Sequence, residues 1–229
     1  MIDGLCAIVP AAGMGKRLAA GVPKAFVQLA PGISLLSLAV DSLVEQGVGH
    51  IVVAIPRKYL NRTTLTPQGA TVTFVAGGER RQDSVQNASL ALPEGYRSVF
   101  IHDAARPFLR RGIVRELHEA TIRNGAAAPV LSCPDTLKRT SNGRISETVD
   151  RDGLYRVQTP QVFRADVFRA MLELYNKLEV TDDCKLAEEA GFAPVAVTGS
   201  EYSFKVTTPE DLEFAKALYS IWKTDRTNQ

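Results

Sequence analysis

Short β-branched runs recur along the chain between stretches whose apolar residues fall at helical spacing. Such alternation is the pattern of an α/β sheet with crossover helices. Strands are predicted at Leu5–Val9, Ile51–Ile55, Thr71–Val75, Ser98–Ile101, Ala126–Leu131, Pro194–Val197 and a short Phe204–Val206. Helices are predicted at Leu35–Gln46, Asp83–Ala91, Ile113–Asn124, Ala165–Lys177, Asp182–Ala190 and Pro209–Ile221. The last has the clearest start, because Thr208-Pro209-Glu210-Asp211 sets a cap residue, a proline at the first helical position and an acid at the third in order.

From Ser132 to about Gln158 the rhythm breaks. The segment is polar, and Thr140-Ser141-Asn142-Gly143 marks a turn between two short β-prone pieces. It reads as a hairpin arm, at about 132–158, projecting from a single domain that spans 1–229, with a disordered surface loop as the alternative.

Composition narrows the partners. The 229 residues are 45% hydrophobic and 23% charged, with a net charge of +2, an ordinary globular balance without a basic stripe. Nucleic acid is not the expected partner, since phosphate-backbone binding normally shows as a basic patch. The three cysteines, Cys6, Cys133 and Cys184, are odd in number and widely spaced, which argues against a disulfide framework or a zinc site. Leu5–Val9 is too short for a signal sequence or a membrane span, and no basic segment precedes it. The expectation is a soluble, cytoplasmic protein with no membrane partner.

The first strand runs into Pro10-Ala11-Ala12-Gly13-Met14-Gly15-Lys16-Arg17. Small residues let backbone N–H groups approach a ligand, and successive N–H groups form an anion-binding nest. Lys16, Arg17 and, after a turn at Pro23, Lys24 add positive charge suited to a polyphosphate. A Walker loop would need a glycine where Pro10 stands and a hydroxyl where Arg17 stands. A dinucleotide fingerprint would need a glycine at Leu18 and an acid ending the second strand, which instead ends Ala54-Ile55-Pro56. The alternative is a tight strand-to-helix turn whose glycines serve geometry alone.

His102-Asp103-Ala104-Ala105-Arg106-Pro107 follows another strand. Ligands of open α/β sheets gather beyond the carboxyl ends of the strands. Asp103 is placed there to bind magnesium, which takes one or two carboxylates plus phosphate oxygens; a structural Asp–Arg ion pair is the alternative. His102 is assigned packing or hydrogen bonding rather than chemistry. In Gly77-Gly78-Glu79-Arg80-Arg81-Gln82-Asp83-Ser84, backbone contacts to a base with Ser84 reading its edge compete with a plain capped loop. No Ser/His/Asp set supports covalent catalysis.

Together PAAGMGKR (10–17), PK (23–24), GGERRQDSV (77–85), HDAARP (102–107), VDRDGLYRVQTPQ (149–161), TDD (181–183) and KVTTPEDL (205–212) resemble the 2-C-methyl-D-erythritol 4-phosphate cytidylyltransferases of the non-mevalonate isoprenoid pathway. The resemblance runs from Ala7 nearly to Leu218. It implies a nucleotidyltransferase-type, Rossmann-like mixed sheet flanked by helices, a magnesium-dependent transfer from CTP to a polyol phosphate, and a homodimer whose arm completes the partner's site. Other divalent cations are compatible with the same chemistry. It further implies that Arg17 and Lys24 stabilise charge at the α-phosphorus and that Asp103 holds the metal. Pro10, Ala11, Ala12, Gly13, Gly15, Gly78 and Ser84 are then expected to bind CTP. Arg106, Thr136, Arg151, Thr159, Thr181 and Lys205 are expected on the side of the acceptor phosphate.

Cys184-Lys185 departs from this pattern and, with the wording KVTTP, is similar to the related ribitol-5-phosphate cytidylyltransferases. The acceptor polyol is therefore open between the two families. A non-catalytic CTP-binding protein and a nicotinamide-dependent oxidoreductase are the alternatives of other kinds. Retention of Arg17, Lys24 and Asp103 weighs against the first, and the missing glycine at Leu18 against the second.

Overall fold

The computed structural model describes residues 1–18 and 21–227. Twelve strands and six α-helices are assigned in these residues. The strands are β1 (Leu5–Pro10), β2 (Gln28–Ala30), β3 (Ile33–Ser34), β4 (His50–Ile55), β5 (Thr71–Ala76), β6 (Ser98–Ile101), β7 (Ala126–Ser132), β8 (Leu137–Ser141), β9 (Arg144–Val149), β10 (Tyr155–Val157), β11 (Gln161–Arg164) and β12 (Val195–Thr198). The helices are α1 (Leu35–Val44), α2 (Arg81–Ser89), α3 (Ile113–Asn124), α4 (Ala165–Leu172), α5 (Asp183–Glu189) and α6 (Pro209–Thr227).

Eight strands form one mixed sheet. β5, β4, β1 and β6 run parallel in that order, and β11 then pairs antiparallel with β6. Ala127 of β7 pairs with both Val162 of β11 and Val195 of β12, so those strands flank β7 on opposite sides. Val130 likewise pairs with both Val157 of β10 and Thr198 of β12. Hence β10 and β11 lie along the same side of β7.

Strand periodicity divides the core. Leu5, Ala7 and Val9 face one side with Leu36, Val40 and Leu43 of α1 and Val114 and Leu117 of α3. Ile8 faces the other with Val85 of α2, Phe168 and Met171 of α4, and Leu186 of α5. Successive strand side chains point to opposite faces, so a buried strand needs apolar residues at every position; all of Leu5 to Val9 are buried. A third cluster joins α6 to the β2–β3 hairpin through Leu29, Leu38, Phe108, Val206 and Ala215.

The expected strands appear with shifts of a residue or two, except Phe204–Val206. That run follows a 3-10 turn (Glu201–Ser203) and stays out of the sheet. Val206 donates its N–H to the Ala105 carbonyl at 2.9 Å and packs in the third cluster, so its apolar residues serve docking rather than strand pairing. Unforeseen were β2, β3, β10 and β11; each has no more than four residues, too few to show a period. At the start of α6, Asp211 Oδ2 accepts from the N–H groups of Thr207 and Thr208, while Asp211 N–H donates to Thr208 Oγ1. The expected reciprocal cap is formed. The polar segment holds the exposed β8–β9 hairpin, which among the described residues pairs with itself alone, while the ends of the expected arm, Ser132 and Tyr155–Val157, pair within the main sheet.

Candidate active site

The loop after β1 leaves the sheet at its carboxyl edge. Ala11 N–H donates to the Ala54 carbonyl at 2.8 Å, and Lys24 N–H reaches back to Gly13 O at 3.2 Å. The chain thus closes on itself between Gly13 and Lys24, setting Lys24 over the sheet end. Gly15 makes that closure possible, with φ +62° and no room for a side chain against Lys24. Ala12 meets the second glycine segment in the same way. A Cβ on Gly77 would lie 2.3 Å from Ala12 Cβ, so the bare backbone lets the two loops pack.

Between these loops and the segment after β6 lies a cavity of about 170 Å3. Pro10, Ala11, Ala12, Gly13, Lys24, Gly78, Ser84, Asp103 and Lys205 line it, joined by Ala25, Glu79, Arg80, Arg81, Ala104 and Ala105. A larger groove of about 1000 Å3, involving Met1, Ile2, Gly47 and Arg115, lies by the amino ends of β1 and β4. The smaller cavity is the candidate site. It lies at the carboxyl edge where ligands of such sheets bind, and it holds the concentrated charge.

Asp103 is the centre of that charge. Its Oδ1 accepts from Arg81 Nε at 2.9 Å and its Oδ2 from Lys205 Nζ at 2.7 Å. Burial alone would raise its pKa, but the two cations overcome this and hold the carboxyl well below its ordinary range. Lys24 is pulled down to about 8, first by burial and then by Lys205. Arg17 lies outside the cavity lining and is exposed, yet it is near enough to disfavour the Lys24 charge. The Lys16 side chain lies outside the described residues.

A buried chain of hydrogen bonds supports Asp103 from behind. Its N–H donates to Thr159 Oγ1 at 3.1 Å, and that hydroxyl lies 3.0 Å from His102 Nδ1. His102 Nε2 meets the Arg106 carbonyl at 3.0 Å. A carbonyl only accepts, so Nε2 carries the proton and the Thr159 hydroxyl donates to Nδ1. Burial pulls His102 down to about 4, consistent with that neutral ring. Its role is hydrogen bonding, as expected. The Thr159 hydroxyl is thus engaged behind Asp103, between the Asp103 N–H and His102.

Ser84 lines the cavity while its hydroxyl accepts from Gly78 N–H at 3.1 Å and meets Arg80 O at 3.3 Å. Arg106 donates to Ser203 O at 2.8 Å, and its buried Nε has no hydrogen-bond partner among the described residues. Thr136 and Arg151 are exposed near the β8–β9 hairpin, where Arg151 donates to the Pro134 carbonyl. Thr181 is exposed just before α5. None of these four residues lines the cavity.

Sequence reasoning missed Arg81. Besides Asp103, its Nη1 donates to Asp183 Oδ2 at 2.6 Å, and fully buried Asp183 also accepts from Tyr175 OH at 2.9 Å. Gln161 completes the support. Its Oε1 accepts from the N–H groups of Asp183 and Cys184, at 2.9 and 3.0 Å. The two carboxylates that Arg81 joins are 22 and 102 residues from it, so no local spacing could announce them. Cys184 is buried, and Lys185 points along α5 to Glu189 at 2.7 Å and Glu188 at 3.6 Å. The pair that suggested another polyol enzyme is therefore occupied by packing and surface pairing.

Among the described residues no group of three or more histidine, cysteine or acidic side chains could hold a metal. A magnesium site made of Asp103 and substrate phosphates matches the donors present, since this ion needs few protein carboxylates. Each Asp103 oxygen already faces one cation, Oδ1 facing Arg81 and Oδ2 facing Lys205.

A family model described as IspD, 2-C-methyl-D-erythritol 4-phosphate cytidylyltransferase, matches residues 5–220. A protein of that name from Salinibacter ruber is 40% identical over 228 residues, covering 96% of this chain and 94% of the relative. One from Saccharopolyspora erythraea is 42% identical over 222 residues, covering 93% and 97%. The crystal structure of the Thermus thermophilus protein of the same name superposes with a TM-score of 0.78 at 36% identity, covering 93% of this chain and 97% of that one.

Proposed function

The chain belongs to the 2-C-methyl-D-erythritol 4-phosphate cytidylyltransferase family, and from that membership we propose how its cavity performs the transfer. The enzyme moves the cytidylyl group of CTP to 2-C-methyl-D-erythritol 4-phosphate, giving 4-diphosphocytidyl-2-C-methyl-D-erythritol and pyrophosphate. An acceptor phosphate oxygen attacks the α-phosphorus of CTP. The bond from that phosphorus to the oxygen bridging the β-phosphate breaks, and its electron pair leaves with pyrophosphate. The attacking phosphate is already an anion, so no general base is needed.

What the protein supplies is position and charge, which carry most of the catalysis in phosphoryl-type transfers. The Pro10–Gly13 backbone and Gly78 bind the nucleotide, with Ser84 holding the Gly78 segment in place. Lys24 and Arg17 offset the negative charge that gathers around the α-phosphorus. Lys205 faces the acceptor phosphate, and Arg106 and Thr181, which do not line the cavity in the free chain, would join it when the acceptor binds. Asp103 would hold a divalent cation, magnesium by preference, and the ion when bound neutralises phosphate charge. Thr159 acts by fixing Asp103. The observation that carries this reading is the meeting of Lys24, Arg81 and Lys205 around Asp103 at the edge of a glycine-lined cavity.

The enzyme works as a cytoplasmic homodimer in which the β8–β9 hairpin reaches the partner's cavity, bringing Thr136 and Arg151 to the acceptor. Support comes from the exposure of Thr136 and Arg151 and from the apolar surface at Ile145, Leu154 and Tyr155, which are 68%, 41% and 60% exposed. Among the described residues no helix is long and apolar enough to cross a membrane.

Pyrophosphate release with CTP and magnesium tests the assignment, with methylerythritol phosphate and ribitol 5-phosphate supplied in parallel. A clear preference for the first is expected. Preference for ribitol 5-phosphate would move the chain's acceptor to the sister activity, and silence with both from folded protein would remove the catalytic reading.

A further inference from the structure

The two oxygens of Asp103 have unlike partners. Arg81 is tied at both ends of its guanidinium, to Asp103 at 2.9 Å and to Asp183 at 2.6 Å. Asp183 has no exposed side-chain surface and is itself fixed by Tyr175 and by the Gln161 contact to its N–H. Moving Arg81 would leave a buried carboxylate without its cation, which is strongly destabilising. Among the described residues the 2.7 Å contact to Oδ2 is the one ion pair of Lys205, and its side chain is 43% exposed. Its ammonium is a compact charge on a flexible stem, so it can leave Asp103 and remain hydrated.

We propose that Arg81 is the permanent counter-ion of Asp103, and that Lys205 is an exchangeable one that yields Oδ2 to the divalent cation and swings onto substrate phosphate. This rests on the cytidylyltransferase reading, which supplies the metal and the phosphates. Arg81 is then a positioning residue: it holds Oδ1 in one place while Oδ2 changes partner. The exchange conserves the local charge logic, because the carboxylate is never left buried without a cation. It also bears on the size of the cavity. The cavity of about 170 Å3 that both residues line is below the roughly 300 Å3 at which ligand pockets usually begin, so a Lys205 that moves off Asp103 changes the space open to a nucleotide.

Manganese binding to the full-length protein without nucleotide, followed by electron paramagnetic resonance, tests the exchange apart from turnover. Lys205→Gln removes the competing resident and is expected to tighten manganese binding at least about fivefold, on the scale of one partly screened charge contact. Lys216→Gln removes an exposed cation of α6 that pairs with Glu213 and does not line the cavity, and it is expected to change binding by less than about twofold. Equal effects of the two variants would overturn the exchange. A second measurement covers the case in which Lys205→Gln is poorly folded: a crystal structure of the wild type with manganese and CTP. Arg81 Nε is expected to stay on Oδ1 while Lys205 Nζ has left Oδ2. Lys205 still on Asp103, or Arg81 displaced, would overturn the proposal even in an enzyme active with methylerythritol phosphate. Absence of turnover with either polyol would instead overturn the reading beneath it.

Discussion

Gly15 and Lys24 touch so closely that a Cβ built on Gly15 would fall 2.6 Å from Lys24 Cβ. Gly15 also sits at φ +62°, where a side chain costs roughly 1–2 kcal/mol. Gly15→Ala is therefore expected to displace Lys24 as well as strain the loop. A loss of about tenfold or more in kcat/KM for CTP, with Tm lowered by only a few degrees, is the expected result. Unchanged kinetics would show that the loop does not set the position of Lys24.

With its pKa lowered to about 8, Lys24 begins to lose its proton just above neutrality in the free enzyme. A bound triphosphate favours the charged form and restores it. CTP binding above pH 8 is thus expected to take up a proton, detectable by calorimetry in buffers of different ionisation enthalpy. The uptake should vanish near pH 6.5 and in Lys24→Gln. Affinity for CTP should fall as pH rises through 8, and a flat profile would contradict the assignment.

His102 is buried, lowered to about 4 from 6.5. A depressed histidine binds fewer protons folded than unfolded, so stability rises with pH between those values and is lost as pH falls through them. The contribution is on the order of 3 kcal/mol. Urea unfolding of the wild type between pH 6.5 and 4 should show this loss, and His102→Gln should flatten it. The imidazole signals of His102 should not titrate between pH 5.5 and 8.

Gln161 accepts two N–H groups at the start of α5 and donates to Asp182 Oδ2 at 3.0 Å. Gln161→Leu leaves those buried donors unpaired, at about 1–3 kcal/mol for each such group. The variant is expected to unfold at lower urea and, since α5 carries Asp183, to bind manganese with altered affinity. Stability within about 0.5 kcal/mol of the wild type would show that the network is redundant.

Much of the fold was legible because its signals are local. Leu5 to Val9 must be apolar throughout to be buried on both faces, and Thr208 and Asp211 carry their cap within four residues. β11 was not legible, although it is a central strand. Gln161-Val162-Phe163-Arg164 is too short to show a period, and it is a strand only because β6 and β7 lie on either side.

The site divides along the same line. The residues by themselves determined the family and singled out the loop from Pro10 to Gly15 with Lys24 and Asp103 as candidates, because backbone approach and charge are written in residue type, whereas Lys205 was singled out only by the resemblance. Tertiary structure alone decided which cation meets which carboxylate. It brought Arg81 between Asp103 and Asp183, put Thr159 behind the carboxylate, and turned Lys185 away to Glu189. Ion pairs and buried hydrogen bonds depend on distances of a few ångströms between residues far apart in the chain, and only the folded sheet sets those distances.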